Sequence, residues 1–191
     1  LNRDDEFRKA KEAALRLLAL RDRSRKEVEG RLIEKGYTRE IVDQILRELE
    51  FLGYIEDRRY ALKFASDAVR RKNAGPAAIR YGLQQKGIPG DIIEETVSKV
   101  FQENDEKEVA ARALRKRLEG DQRDRTAIAS REAKDVPPIV DRQGFLTPPK
   151  GSSGRSGRDE AKKLFDYLRR KGFSYDIIRE TLKEIEKEDD I

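Results

Sequence analysis

The sequence predicts an all-α protein, an elongated tandem array of three three-helix repeats. Three observations lead there: a motif that recurs three times, apolar residues at helical spacing after each copy, and a composition thin in apolar mass. Of 191 residues, 36% are hydrophobic and 42% are charged. Helical layers stacked side by side accommodate that balance better than one compact globule does.

The motif reads Arg31-Leu-Ile-Glu-Lys-Gly-Tyr-Thr-Arg-Glu-Ile-Val42, then Gly82-Leu-Gln-Gln-Lys-Gly-Ile-Pro-Gly-Asp-Ile-Ile93, then Tyr167-Leu-Arg-Arg-Lys-Gly-Phe-Ser-Tyr-Asp-Ile-Ile178. Its core is Leu-x-x-Lys-Gly, an apolar residue, two variable positions, an acid (Glu40, Asp91 or Asp176), and Ile-Ile or Ile-Val. Physically this is a helix stop followed by a helix start. Gly36, Gly87 and Gly172 fall where a helix end needs a left-handed residue. Leu32, Leu83 and Leu168 then meet Tyr37, Ile88 and Phe173 as the apolar clasp of a Schellman turn. Lys35, Lys86 and Lys171 lie at the negative end of the helix dipole. The motif is thereby explained as scaffold.

The elements follow in order. The first unit, 1–52, holds helices near 4–20, 24–35 and 38–52. Ser24-Arg-Lys-Glu27 reads as a capping box, Thr38 as a helix cap, and Ile41, Val42, Ile45, Leu46 and Leu49 as one apolar face. Gly53 repeats the stop, with Leu49 and Tyr54 as its clasp. The second unit, 53–104, holds helices near 58–72, 76–86 and 90–103, with Pro76 at a first helical position and Ile92, Ile93, Val97 and Val100 as its face. Asp57 reads as an N-cap and Tyr60 as core. The third unit, 105–191, holds helices near 106–119, 158–171 and 175–188. Ser174 is its cap; Ile177, Ile178, Leu182 and Ile185 form its face. Residues 120–157 hold four of the six Pro and five of the thirteen Gly, and are expected to be a flexible insertion.

Several chemistries are disfavoured. Without Cys there is neither a disulfide nor a thiol nucleophile, and without His the commonest general base and metal ligand are missing. The Gly-rich stretch lacks the Gly-Lys-Ser/Thr of a phosphate loop. No apolar run approaches the roughly 20 residues of a membrane helix. The opening Leu1–Glu6 is too polar for a signal peptide, so a cytoplasmic location is expected. Neither a cofactor nor an enzymatic activity is expected.

Charge is unevenly spread. The net charge is +5, yet Arg58, Arg59, Lys63, Arg70, Arg71, Lys72, Arg80 and Lys86 face a single acid, Asp67, within 58–86. Residues 91–106 hold six acids against one base. The first two helices of the central unit are therefore expected to offer a basic, partner-binding surface, and the third helices an acidic one. Acids such as Asp43, Glu48, Glu94, Glu95, Glu180 and Glu184 disfavour a groove-reading recognition helix. Contact of the basic helices with a phosphate backbone fits the pattern.

Certain stretches also resemble the RecX family. They are Arg21-Asp-Arg-Ser-Arg25 with Leu32-x-x-Lys-Gly-Tyr37, then Leu49-x-x-Leu-Gly-Tyr-Ile-x-Asp-x-Arg-Tyr-Ala61, then Gly75-Pro-x-x-Ile-Arg80-x-x-Leu-x-x-Lys-Gly-Ile88, and the third motif copy. Their order and spacing carry the resemblance across nearly the whole chain apart from its start and 120–157. Ala77 and Ala78 depart from it, standing where the family is often basic. The resemblance implies a regulator that binds the RecA filament on single-stranded DNA and modulates, most often restrains, its ATP hydrolysis, extension and strand exchange, with at most weak direct DNA contact. A monomer is expected. The alternatives are a stand-alone DNA-binding repeat protein and an adaptor for an unrelated partner.

Overall fold

The computed structural model describes the backbone of residues 3–135 and 157–189, and the side chains of 3–120 and 160–184. The described residues form an elongated all-α array of nine helices: α1 (Arg3–Leu20), α2 (Arg25–Glu34), α3 (Arg39–Phe51), α4 (Asp57–Lys72), α5 (Pro76–Gln85), α6 (Gly90–Glu103), α7 (Glu106–Asp135), α8 (Gly157–Lys171) and α9 (Tyr175–Asp189).

Their ends form as local chemistry dictates. Gly36, Gly87 and Gly172 have φ of +88°, +73° and +89°. Beyond each, the N–H of Tyr37, Ile88 or Phe173 donates to Leu32, Leu83 or Leu168, which are fully buried. Ser24 and Glu27 complete the capping box, and Ser174 Oγ accepts from the Ile177 N–H at 3.4 Å. Thr38 occupies the cap position of α3 without a side-chain bond. Gly53 makes its turn at φ +72°, but Tyr54 stays 55% exposed, so that clasp is open.

The apolar faces close into two clusters. One joins Ala10, Ala13 and Ala14 of α1 to Val28, Leu32 and the whole α3 face, and ends at Ile55. The other runs without a break from Tyr60 in α4 to Ile178 in α9. At about 1.5–3 kcal/mol per buried aliphatic side chain, these clusters supply most of the stabilisation. Ile185 lies outside the described side chains.

The middle helix of each unit meets the next end to end. At the C-terminal turn of α8, the Gly75 N–H donates to Lys171 O at 2.8 Å and the Ala77 N–H to Gly172 O at 3.0 Å. At the C-terminal turn of α5, Ser24 Oγ donates to Lys86 O at 2.7 Å. So α8, α5 and α2 run head to tail, and the Lys-Gly turn is both a helix stop and a joint.

Two expectations need correction. α7 continues to Asp135 rather than stopping near 119. Gly120 alone costs about 1 kcal/mol in a helix, and the good helix formers after it sustain the turn until the prolines from 137. The rest of the expected insertion, 136–156, lies outside the described residues. Asp57 is the first residue of α4 rather than its cap; its carboxylate accepts the Arg25 N–H at 2.9 Å and so caps α2.

Candidate nucleic-acid interface

The eight bases singled out in the sequence do not form one surface. Arg58 pairs with Glu95 of α6, and Arg80 holds Glu94 in a bidentate pair at 2.9 Å. Arg59 pairs with Glu56 at 2.9 Å and Lys63 with Asp22 at 2.6 Å. Lys86 reaches Glu27 at 2.7 Å across the α5–α2 joint. These five of the eight bases thus have an acid within ion-pair distance: Glu94 and Glu95 come from α6, Glu56 from the turn before α4, and Asp22 and Glu27 from the first unit. Each unit shows the same economy: Lys11 pairs with Glu48, and Lys107 with Glu184. Exposed pairs like these contribute about 0–1 kcal/mol each, but they cancel the field a partner would feel.

Arg70, Arg71 and Lys72 remain. Arg70 and Arg71 share Asp67, at 2.9 and 3.4 Å, and are 73% and 70% exposed. Their helix ends beside α7 and the end of α8, which bring Arg112, Arg115, Lys116 and Lys171. A groove of about 970 Å³ lies between Lys63–Asn73 and Glu103–Glu119, and a second of about 450 Å³ adjoins it at Tyr167 and Lys171. Among the described residues no carboxylate lies within ion-pair distance of Lys72, Arg112, Arg115 or Lys116. The acids in these walls are Asp67, Glu103 and Glu119.

Lys171 is half-buried and fixed in place. Its ammonium donates to Lys72 O at 2.7 Å and sits 5.5 Å from the centre of the Tyr167 ring. Burial pushes its pKa below the usual lysine range, and the like charges of Lys116 and Lys72 push the same way. The Tyr167 hydroxyl donates to Ala113 O at 3.4 Å, and Arg117 lies over its ring at 5.9 Å. The α7 bases were legible in part: residues 109–118 hold four bases and no acid, at spacings that share a helix face. Their meeting with α4 and α8 was not legible.

The α5–α2 joint has opposite electrostatics. Glu27 is only 16% exposed, and burial would raise its pKa; hydrogen bonds from Arg21 and Lys86 outweigh that and hold it at about 2. Among the described residues there is no cluster of acids that could hold a metal ion, and no helix long and apolar enough to cross a membrane.

Comparison with known proteins places this architecture. Three family models match in series: the first three-helix domain of RecX over residues 10–49, the second over 57–97 and the third over 150–182. The regulatory protein RecX of Prosthecochloris aestuarii is 31% identical over 182 residues, 95% of this chain and 97% of that protein. That of Chlorobaculum tepidum is 32% identical over 170 residues, 89% and 84% of the two chains. The crystal structure of RecX from Lactobacillus salivarius superposes with a TM-score of 0.68 at 26% identity, covering 96% of this chain and 98% of that one. With three family domains in order and relatives matched over nearly their whole length, the chain belongs to the RecX family of regulatory proteins.

Proposed function

We propose that this protein binds the RecA filament on single-stranded DNA as a monomer and restrains its ATP hydrolysis, extension and strand exchange, acting by binding and without chemistry of its own. The observation that carries the reading is the meeting of cations from three helices at the α4–α7–α8 groove, where Lys72, Arg112, Arg115 and Lys116 have no described carboxylate within ion-pair distance. An elongated array of similar units suits a partner that is itself repetitive, because modest contacts add along its length. Bridging neighbouring filament subunits would favour one filament conformation over another. Of the eight bases read from the sequence, Arg70, Arg71 and Lys72 carry this role; Arg58, Arg59, Lys63, Arg80 and Lys86 serve the fold through their ion pairs.

The test is RecA ATP hydrolysis on single-stranded DNA during titration with this protein, with binding to naked DNA measured in parallel. Inhibition at concentrations that leave naked DNA unbound is expected. Unchanged hydrolysis, or a change only once the DNA itself is covered, would move the function to DNA binding or to another partner.

A further inference from the structure

We infer that the first unit is an arm that swings as a rigid body on the fused second and third units, with Glu56 as its pivot and two ion pairs, Asp22–Lys63 and Glu27–Lys86, as its latch. The inference goes beyond the reading above and does not depend on the partner proposed there.

Three observations carry it. The first is that the seam lies between two complete cores. The apolar cluster of the arm ends at Ile55, and that of the body begins at Tyr60. The helices α1, α2 and α3 pack on one another, and among the described residues none of them packs along a helix of the body. Swinging the arm therefore uncovers little apolar surface.

The second is that one short stretch of chain joins the two. The Ile55 N–H donates to Leu49 O at 3.2 Å, so Ile55 moves with the arm, while Asp57 begins α4 and moves with the body. Glu56 between them is extended, at φ −147° and ψ 99°, and makes no side-chain cap bond to α4. Hinges are built from such residues at element ends, which absorb backbone rotation without breaking a helix.

The third is that the described polar contacts across the seam gather at one corner of the arm. Ser24 Oγ donates to Lys86 O at 2.7 Å and the Arg25 N–H to Asp57 at 2.9 Å. Lys63 reaches Asp22 at 2.6 Å and Lys86 reaches Glu27 at 2.7 Å. All four contacts fall on residues 22–27, the turn into α2. Arg59 adds a bond to Gly53 O at 3.3 Å beside the pivot. In both ion pairs the acid is on the arm and the base on the body. Salt, or a charged partner that takes either member, therefore favours the released arm. The α8–α5 joint differs in kind, since its core is continuous and its main chains are bonded to each other. An arm so held changes the reach of the array without unpacking either core.

The experiment uses the full chain, which has no Cys, so that introduced cysteines alone take nitroxide labels. Double electron–electron resonance is read for three exposed pairs: Arg39→Cys with Lys99→Cys across the seam, Lys99→Cys with Arg179→Cys within the body, and Lys9→Cys with Arg39→Cys within the arm. Raising sodium chloride from about 0.1 M to about 1 M cuts the screening length from roughly 10 to 3 Å, and should widen the distance distribution across the seam about two-fold. The variant Asp22→Asn, Glu27→Gln should show that width already at low salt; its glutamine still serves the capping box of α2. The variant Lys63→Gln, Lys86→Gln opens the same latch from the body and should match it. Both internal pairs should keep their widths throughout. A seam distribution as narrow as the internal ones under every condition would overturn the inference, because the arm would then be fused. Widening of the pair within the arm alongside the seam would overturn it as well, since the first unit would be unfolding rather than swinging. Salt-induced widening in wild type that neither latch variant reproduces at low salt would defeat the assignment of the latch.

Discussion

The two joints of the array are built from the same turn and yet are made of different materials. At the α5–α2 joint the Lys86-Gly87-Ile88 turn faces Ser24-Arg25-Lys26-Glu27, and the contacts are polar: Ser24 Oγ on Lys86 O, Glu27 between Arg21 and Lys86, and Asp57 on the Arg25 N–H. The apolar clusters on its two sides stay separate. At the α8–α5 joint the Lys171-Gly172-Phe173 turn faces Gly75-Pro76-Ala77-Ala78. Backbone meets backbone there, and the apolar cluster passes straight through. The difference lies in the helix start that each turn receives. A capping serine with a glutamate brings side chains into the joint, whereas Gly-Pro-Ala-Ala strips them away so that the main chains touch. Hydrophobic continuity makes the second and third units one body. Directional polar contacts tie the first unit to it.

The largest expected effect isolates that difference in one substitution. A Cβ on Gly172 would lie 2.2 Å from the Ala78 backbone nitrogen; one on Gly87 would meet only the Lys26 side chain; one on Gly36 meets nothing within 4 Å. All three have positive φ, worth about 1–2 kcal/mol against alanine. Gly36→Ala should therefore cost about 1 kcal/mol and Gly87→Ala about 2, since the Lys26 stem has to move. Gly172→Ala should cost about 4, with overpacking against rigid backbone added to the left-handed penalty. Urea midpoints give the order. Equal losses at Gly36 and Gly172 would mean that the Lys-Gly turn is only a helix stop.

A smaller effect should appear at the polar joint. Ser24→Ala removes the α2 cap and the bond to Lys86 O together, for an expected loss of about 1–2 kcal/mol. Amide exchange should accelerate at the start of α2, while the α8–α5 joint keeps its protection. Acceleration spread evenly over α5, α6 and α9 would show that the first unit is as firmly fused as the third.

These joints also mark where sequence reading stops. Helix ends and apolar faces were legible because each is set within a few residues: a glycine that tolerates positive φ, a leucine one turn before it, and isoleucines at helical spacing after it. The pairing of Arg58, Lys63, Arg80 and Lys86 was not legible because it is tertiary. Nothing local couples Arg58 to Glu95 or Arg80 to Glu94, and a surplus counted along the chain became ion pairs once α6 packed on α4 and α5. The basic groove was hidden for the converse reason, since its members come from three helices of two units. The end of α7 was misplaced because the Pro and Gly of 120–157 were read as one stretch, although all of them but Gly120 lie beyond Asp135. The second role of the Lys-Gly turn left no signal in its own residues; the signal lay in the helix starts at Ser24 and Gly75.

The smallest expected effect compares the buried carboxylates of the two joints, and it is one of sign. Glu27 is held at about 2, below its ordinary 4.5, by Arg21 and Lys86. Its stabilisation is thus present above about pH 4.5 and lost as pH falls toward 2. Glu106, beside the α8–α5 joint, is raised instead: burial dominates, the Ser174 N–H and the charge of Arg80 lower it, and Asp105 adds to the rise. One of its oxygens is buried without a hydrogen-bond partner. Its charged form is disfavoured by folding, so its contribution improves as pH falls through its raised value. Glu106→Gln should then lie within about 0.5 kcal/mol of wild type at neutral pH, on the stabilising side, because the amide oxygen can still accept from Ser174. Glu27→Gln should destabilise at neutral pH and flatten the loss of stability between pH 4.5 and 2. Thermal melts at pH 3, 5 and 7 separate the two, and matching pH profiles for both variants would dissolve the distinction between a charge-compensated joint and an apolar one.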